Sequence, residues 1–334
     1  MTIAFPSFRR LILCSLGILL ACGLGAGTSA PPDPDKASTE PRKKPALYDP
    51  KADARAQVTA ATARARRDCS RVLVMFGFEA CGWCHKLHAL FGENPEIRKL
   101  LRDEYVTIMV DTEAPDAAEL IRECKKALTA EELQKGVGYP FLAVLDADGK
   151  ALTAQRTEPL EDGDHHDAAK VKDFLGLWIA PRTDARAILE AALARAAKDD
   201  KRVFLHFGAP WCGWCHRLED FLGREEIAAV LGPDFILAKV DVDRMENGKE
   251  VMGTYRKGKP GGIPWFVFLD GNGKTLATAD GPKGNIGYPA RLHEIDHFIA
   301  VLKQTARRIE PAQFDGIEAA LRQARTDLGL DRGP

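Results

Sequence analysis

The pentapeptide Cys-Gly-Trp-Cys-His occurs twice, at 81–85 and 212–216, and takes half of the chain's eight cysteines. Two cysteines with two residues between them are one helical turn apart. They can share a disulfide or act in succession: the first thiolate attacks a substrate disulfide and the second resolves the mixed disulfide. The attacking sulfur must ionise near neutral pH, against a free pKa of about 8.5. The unpaired N–H groups at a helix N-terminus favour that anion. Each motif therefore asks for a helix that opens on Cys81 or Cys212. Three other chemistries use the same spelling. Cys-x-x-Cys-His attaches c-type haem, paired cysteines hold zinc, and a bridge over so short a loop can be inert. Neither motif has a second Cys/His pair at finger spacing, which weakens zinc.

The elements that must position these motifs repeat. Residues 53–87 align without a gap on 184–218, with 20 of 35 positions identical. The likeness returns at Val110-Asp111 and Val240-Asp241, and again from Pro140 to Asp146-Ala147-Asp148-Gly149-Lys150 and from Pro264 to Asp270-Gly271-Asn272-Gly273-Lys274. Each copy opens with an Ala/Arg-rich amphipathic helix, with Ile188, Leu189, Ala192, Leu193 and Ala196 on one face in the second. A short apolar run follows, Val72 to Phe76 or Val203 to Phe207, whose lack of alternation suits a strand covered on both faces. Then come the motif helix, a second strand (Tyr105 to Val110 or Phe235 to Val240), a polar helix, two strands around an Asp/Gly turn, and a closing helix near 168–178 or 289–305. The order αβαβαββα predicts an α/β fold with a mixed central sheet and helices on both faces.

A strand, then Cys-x-x-Cys opening a helix, then a proline starting a strand some 50–60 residues later resembles thioredoxin, twice over, across residues 52–306. The proline is Pro140 after Gly138-Tyr139 in the first copy and Pro264 after Gly262-Ile263 in the second. Pro210-Trp211-Cys212 brings the second copy nearer the family than Glu79-Ala80-Cys81 brings the first. The Cys-Gly-Trp-Cys-His form is similar to thioredoxin-like domains of bacterial envelope disulfide reductases. The resemblance implies two tandem thioredoxin-like domains, 52–181 and 182–306, with catalytic Cys81, Cys84, Cys212 and Cys215 and no cofactor. It further implies that Pro140 and Pro264 are cis and line a substrate groove with Tyr139 and Ile263. Trp83, Trp211 and Trp214 would give that groove a flat apolar surface, extended by Trp265. It departs from the family beneath the sulfurs. The buried aspartate of thioredoxins is replaced by Met75 and His206, and its partnering lysine by Met109 and Lys239. Ionisable groups that tune the sites are then His85, His206, His216 and Lys239, with His206 a candidate proton carrier or simply a core histidine. Glu79, if close, disfavours a thiolate at Cys81 and sets its pKa above that of Cys212.

Outside the two copies, Arg9 and Arg10, an apolar run from Leu11 to Ala21 and small residues after it have the layout of an export leader, too short to span a bilayer. Leu19-Leu20-Ala21-Cys22 resembles a lipobox. It predicts a leader over 1–21, lipidation at Cys22 and a membrane-anchored periplasmic protein, with free export as the alternative. Six prolines between 31 and 50 mark a semi-rigid spacer, so 22–51 reads as a linker. Residues 307–334 predict a helical tail with Ile317, Leu321 and Leu328 on its apolar face. Cys69 and Cys124 could bridge in an oxidising compartment. Glu161 to Asp167 looks metal-like but reads as a solvated loop. The balance of 47 basic against 48 acidic residues gives no nucleic-acid footprint. The function expected is an envelope thiol–disulfide oxidoreductase that reduces disulfides in substrate proteins with electrons from a membrane or envelope thiol donor. A disulfide isomerase or oxidase with the same sites, a dihaem carrier and a non-catalytic binding module are the alternatives.

Overall fold

The computed structural model describes residues 46–330. The leader, Cys22 and the spacer up to residue 45 lie outside the described residues. Within them, no helix is long and apolar enough to cross a membrane. The first half runs α1 (Ala54–Asp68), β1 (Arg71–Gly77), α2 (Gly82–Glu93), α3 (Pro95–Glu104), β2 (Tyr105–Asp111), α4 (Ala117–Lys125), α5 (Ala130–Gln134), β3 (Phe141–Leu145), β4 (Ala151–Arg156), a small hairpin of β5 (Glu161–Asp162) and β6 (His165–His166), and α6 (Ala168–Leu177). Its sheet has the order β2-β1-β3-β4, with β1 parallel to β2 and antiparallel to β3. The central strand β1 feeds two cores at once, because successive side chains leave opposite faces. Val72, Val74 and Phe76 pack with α1 and α4, while Leu73 and Met75 pack with α2, α3 and α6.

The second half repeats the plan: α7 (Ala185–Lys198), β7 (Arg202–Gly208), α8 (Gly213–Leu222), α9 (Glu225–Leu231), β8 (Phe235–Asp241), α10 (Gly248–Arg256), β9 (Trp265–Leu269), β10 (Thr275–Thr278), the hairpin β11 (Asp280–Gly281) and β12 (Gly284–Asn285), and α11 (Leu292–Thr305). The sheet order β10-β9-β7-β8 matches the first. A last helix, α12 (Pro311–Asp327), inserts Phe314, Ile317 and Leu321 into the core of this half, with Leu328 packed at its edge.

The helix after each motif differs from the single one expected, being two. In the first half Asn94 ends α2, and its side-chain oxygen accepts from the Glu96 and Ile97 amides while Pro95 opens α3. A proline cannot continue α2 but suits a first helical position. The 161–167 stretch is also not a plain loop. It forms the β5–β6 hairpin, which buries His166 edge-on against Trp83. No group of three or more candidate metal ligands clusters among the described residues.

The halves meet through the end of α1. Arg244 donates to the Asp68 and Cys69 carbonyls at 2.7 and 2.9 Å and lies 3.1 Å from the buried Glu104 carboxylate. Cys69 leans on the second core, whereas Cys124 is buried in the first, so the two spare cysteines do not pair.

Leu321 is fully buried. Leu321→Ala is expected to cost about 2–5 kcal/mol in urea unfolding. A loss within 0.5 kcal/mol or so, typical of surface substitutions, would show that α12 is not part of the core.

Candidate thiol–disulfide sites

Both motifs sit where a central strand hands over to a helix. β1 ends at Gly77 and β7 at Gly208, and after a tight loop Cys81 and Cys212 become the N-caps of α2 and α8. Each N-cap sulfur accepts a hydrogen bond from the backbone N–H of the second cysteine, at 3.1 Å (Cys84) and 3.2 Å (Cys215). Both pairs are disulfide-bonded, with Cα atoms 5.2 Å apart. The two sulfurs of a pair are not equivalent. Cys81 keeps 6% of its surface and Cys212 5%, against 0% and 1% for Cys84 and Cys215. The first cysteine of each pair is therefore the more accessible of the two.

The Tyr139–Pro140 and Ile263–Pro264 bonds are cis. The Tyr139 carbonyl oxygen lies 3.7 Å from Cys81 Sγ, which puts the proline loop beside the reactive sulfur. In the second half a groove of about 700 Å³ is lined by Trp214, Ile263, Pro264, Ile286 and Tyr288. Trp214 stacks on Tyr288 and Trp211 stands 53% exposed, its indole N–H donating to Asp243 at 2.6 Å. Trp83 is half-buried, with the Lys86 ammonium 4.6 Å from its ring centre. Trp265 does not extend this surface. It opens a strand covered on both faces, is fully buried, and donates to Asp280 at 3.1 Å.

His85 and His216 act alike. The Nε2 of each ring hydrogen-bonds a carbonyl in the loop before its motif, Glu79 at 2.7 Å and Pro210 at 2.8 Å, and so ties that loop to the helix. Glu79 does not point its charge freely at Cys81. Its Oε2 accepts from the Leu47 and Tyr48 amides at 2.9 and 3.2 Å.

The groups beneath the sulfurs are where the halves part. In the second, the cross-strand pair His206 and Lys239 is joined by Glu219, four residues past Cys215 on α8 and buried. Lys239 Nζ sits 2.8 Å from Glu219 Oε1 and 2.8 Å from Asp68 Oδ1, a carboxylate supplied by the first half. Burial pulls the Glu219 carboxyl upward, but His216, Lys239 and His206 outweigh it and hold the group down at about 2. Burial works against the Lys239 ammonium too, and Glu219 and Asp68 more than restore it. Burial pushes His206 down to about 4, so it is neutral at pH 7, and the charges under this site are carried by Glu219, Lys239 and Asp68. In the first half the equivalent strand pair is Met75 and Met109, and the position matching Glu219 is the exposed His88. The buried Tyr48 hydroxyl, from the segment ahead of α1, shares the space before Gly77 with Cys84 Sγ.

Sequence reasoning passed over Glu219, Asp68 and Tyr48. Glu219 had a readable signal, since i and i+4 share a helix face and Cys215 faces inward. Asp68 and Tyr48 had none, because only tertiary packing brings Asp68 to Lys239 and the Tyr48 hydroxyl to the space it shares with Cys84.

A family model described as thioredoxin-like matches residues 184–271, and a DsbH thioredoxin model described as a protein of unknown function, DUF255, matches 53–180. Thioredoxin-1 of Drosophila melanogaster is 34% identical over 83 residues, covering 25% of this chain and 70% of the fly protein. The chain belongs to the thioredoxin-like family. The disulfide bond reductase DsbH of Chlamydia pneumoniae is 29% identical over 112 residues, 30% of this chain and 66% of that one. Human spermatogenesis-associated protein 20 is 34% identical over 86 residues, but the chain spans only 11% of its length and 25% of this chain is matched. Among solved structures, a disulphide isomerase from Xylella fastidiosa aligns over 39% of this chain and 94% of its own at 24% identity, with a TM-score of 0.31. Both motifs lie within the residues that the two family models match.

The titrations have signs that can be checked. His206 is neutral in the fold and ionises more readily when unfolded, so the stability it confers at pH 7 is lost as pH falls from about 6.5 to about 4. Glu219 confers stability above about 4.5, and that is lost as pH falls towards about 2. Urea unfolding across pH 2–8 is expected to show both windows. His206→Asn should flatten the upper and Glu219→Gln the lower, and unchanged profiles would refute the assignments.

Proposed function

We propose that the protein is an exported thiol–disulfide oxidoreductase that reduces disulfides in substrate proteins at two sites. The carrying observation is the inequality of the sulfurs in each pair: an accessible N-cap sulfur beside a cis-proline loop, backed by a buried partner. In the reduced state the Cys81 or Cys212 thiolate, favoured by the helix N-terminus, attacks a substrate disulfide and forms a mixed disulfide. Cys84 or Cys215 then attacks its neighbour and releases the reduced substrate. In the second domain Glu219, held ionised by Lys239, shares the space before Gly208 with Cys215 Sγ and so sets the charge that sulfur meets. Tyr139 and Pro140, and Trp211, Trp214, Ile263 and Pro264, line the surfaces where an extended substrate segment would lie.

Reduction is preferred over oxidation or isomerisation because a buried, ionised Glu219 under the second pair penalises a thiolate there and so favours the disulfide, which makes the dithiol a strong electron donor. The likeness to a protein named as a disulfide bond reductase supports the same direction. The apolar run before Cys22 supports export, with lipid anchoring at Cys22 and a membrane or envelope thiol donor that recharges the sites.

Turnover of insulin disulfides by residues 22–334, with dithiothreitol as donor, tests the reading. Cys81→Ser and Cys212→Ser are each expected to abolish the contribution of their own site, and the double variant to leave only the uncatalysed rate. Full activity in the double variant would overturn the assignment.

A further inference from the structure

Gly77 and Gly208 occupy matching places, at the ends of β1 and β7, and the space before each is filled by the resolving sulfur and one other polar atom. At Gly208 a Cβ would stand 3.3 Å from Cys215 Sγ and 3.5 Å from Glu219 Oε1. At Gly77 it would collide with Cys84 Sγ and with the Tyr48 hydroxyl. A phenol in the first domain thus stands where the second has a carboxylate. Tyr48 comes from the short segment ahead of α1, and Glu79 latches that segment by accepting from the Leu47 and Tyr48 amides. The ring is buried in the core that also holds Leu73, Met75, Cys84 and Leu87. Its hydroxyl has no hydrogen-bond partner while Cys84 is in the disulfide.

We propose that Tyr48 is a catalytic residue of the first site, its hydroxyl donating a hydrogen bond to Cys84 Sγ as that sulfur becomes a thiolate. This rests on the oxidoreductase reading above. When an external thiolate attacks Cys81 Sγ, a new S–S bond forms to Cys81, the Cys81–Cys84 bond breaks, and its electron pair leaves on Cys84. A second external thiolate then attacks the external sulfur of that mixed disulfide, a disulfide forms between the two external sulfurs, the bond to Cys81 breaks and its electron pair stays on Cys81 Sγ, so two electrons enter the site. Tyr48 keeps its proton throughout. A buried donor without an acceptor is unfavourable, and a thiolate is a far better acceptor than a disulfide sulfur. The interaction therefore strengthens along the reaction coordinate, which is the condition for catalysis rather than mere binding.

Burial, with Asp111 and Glu79 nearby, pushes the phenol well above its ordinary value, so it remains a donor at any physiological pH. The cross-strand pair Met75 and Met109 beneath the site is uncharged, so no cation there competes for the Cys84 thiolate.

The test uses residues 22–334 with Cys212→Ser and Cys215→Ser, equilibrated with reduced and oxidised glutathione. Tyr48→Phe keeps the ring and removes one oxygen. It is expected to lower the equilibrium constant for reduction of the first site, and the rate of glutathione attack, by about tenfold or more. The melting temperature of the oxidised form should not fall, because only an unsatisfied donor is lost. Glu79→Ala, which unlatches the segment, should shift both quantities in the same direction. Exchange in the parent with an equilibrium constant unchanged within twofold in both variants would overturn the role of Tyr48 alone. A parent that does not exchange with glutathione would overturn the oxidoreductase reading, and the Tyr48 proposal with it.

Discussion

The chemistry of both domains depends on close approach at the end of the central strand. The resolving sulfur of each pair has to press against backbone, because the helix that carries it begins only a few residues after the strand stops. A side chain at Gly77 or Gly208 would occupy that space. With glycine there, each sulfur is seated against the sheet, fully or almost fully buried, and its reactivity is set by whichever polar group shares the seat. The same geometry leaves the first sulfur of each pair at the helix N-cap, accessible and electrostatically favoured as an anion. In the proposed cycle, burial and the helix N-terminus together divide attack, departure and resolution between the two sulfurs.

What shares the seat differs, and the difference ties the domains together. Under Cys215 a buried carboxylate is paired with Lys239, whose single ammonium is shared with Asp68 from the first domain. Removing one member of such a cluster leaves an uncompensated buried charge, typically costing about 3–5 kcal/mol. The second site is therefore completed by the docking of the first domain. Under Cys84 the cross-strand pair is two methionines, and the polar partner is a phenol from a segment that belongs to neither sheet. Two halves built on one plan thus place different polar groups beside their second cysteines.

Much of this was legible in the sequence because it follows local rules. The gapless repeat, the apolar runs of β1 and β7 and the CxxC spacing place four cysteines on helix starts without reference to tertiary contacts. The Asn94-Pro95 break was legible too, had the proline been weighted as a helix start. Trp265 was misplaced because its neighbour Pro264 lies at the groove, while the strand it opens turns the indole into the core. The expected influence of Glu79 on Cys81 depends on where its carboxylate lies, and nothing local shows that amides 31 and 32 residues earlier occupy it. Tyr48 reaches the space beside Cys84, and Asp68 reaches Lys239, through packing across separate elements, which no spacing rule encodes.

The unequal seats make the central claim measurable as two separate equilibrium reduction potentials, each determined on residues 22–334 with the other pair changed to serine. A buried carboxylate beside Cys215 penalises the thiolate, whereas a phenol donor beside Cys84 stabilises it. The account predicts two distinct values with the second site lower, near the roughly −270 mV of thioredoxin. Coincident values, the reverse order, or a second site near the roughly −120 to −180 mV of oxidases and isomerases would contradict it.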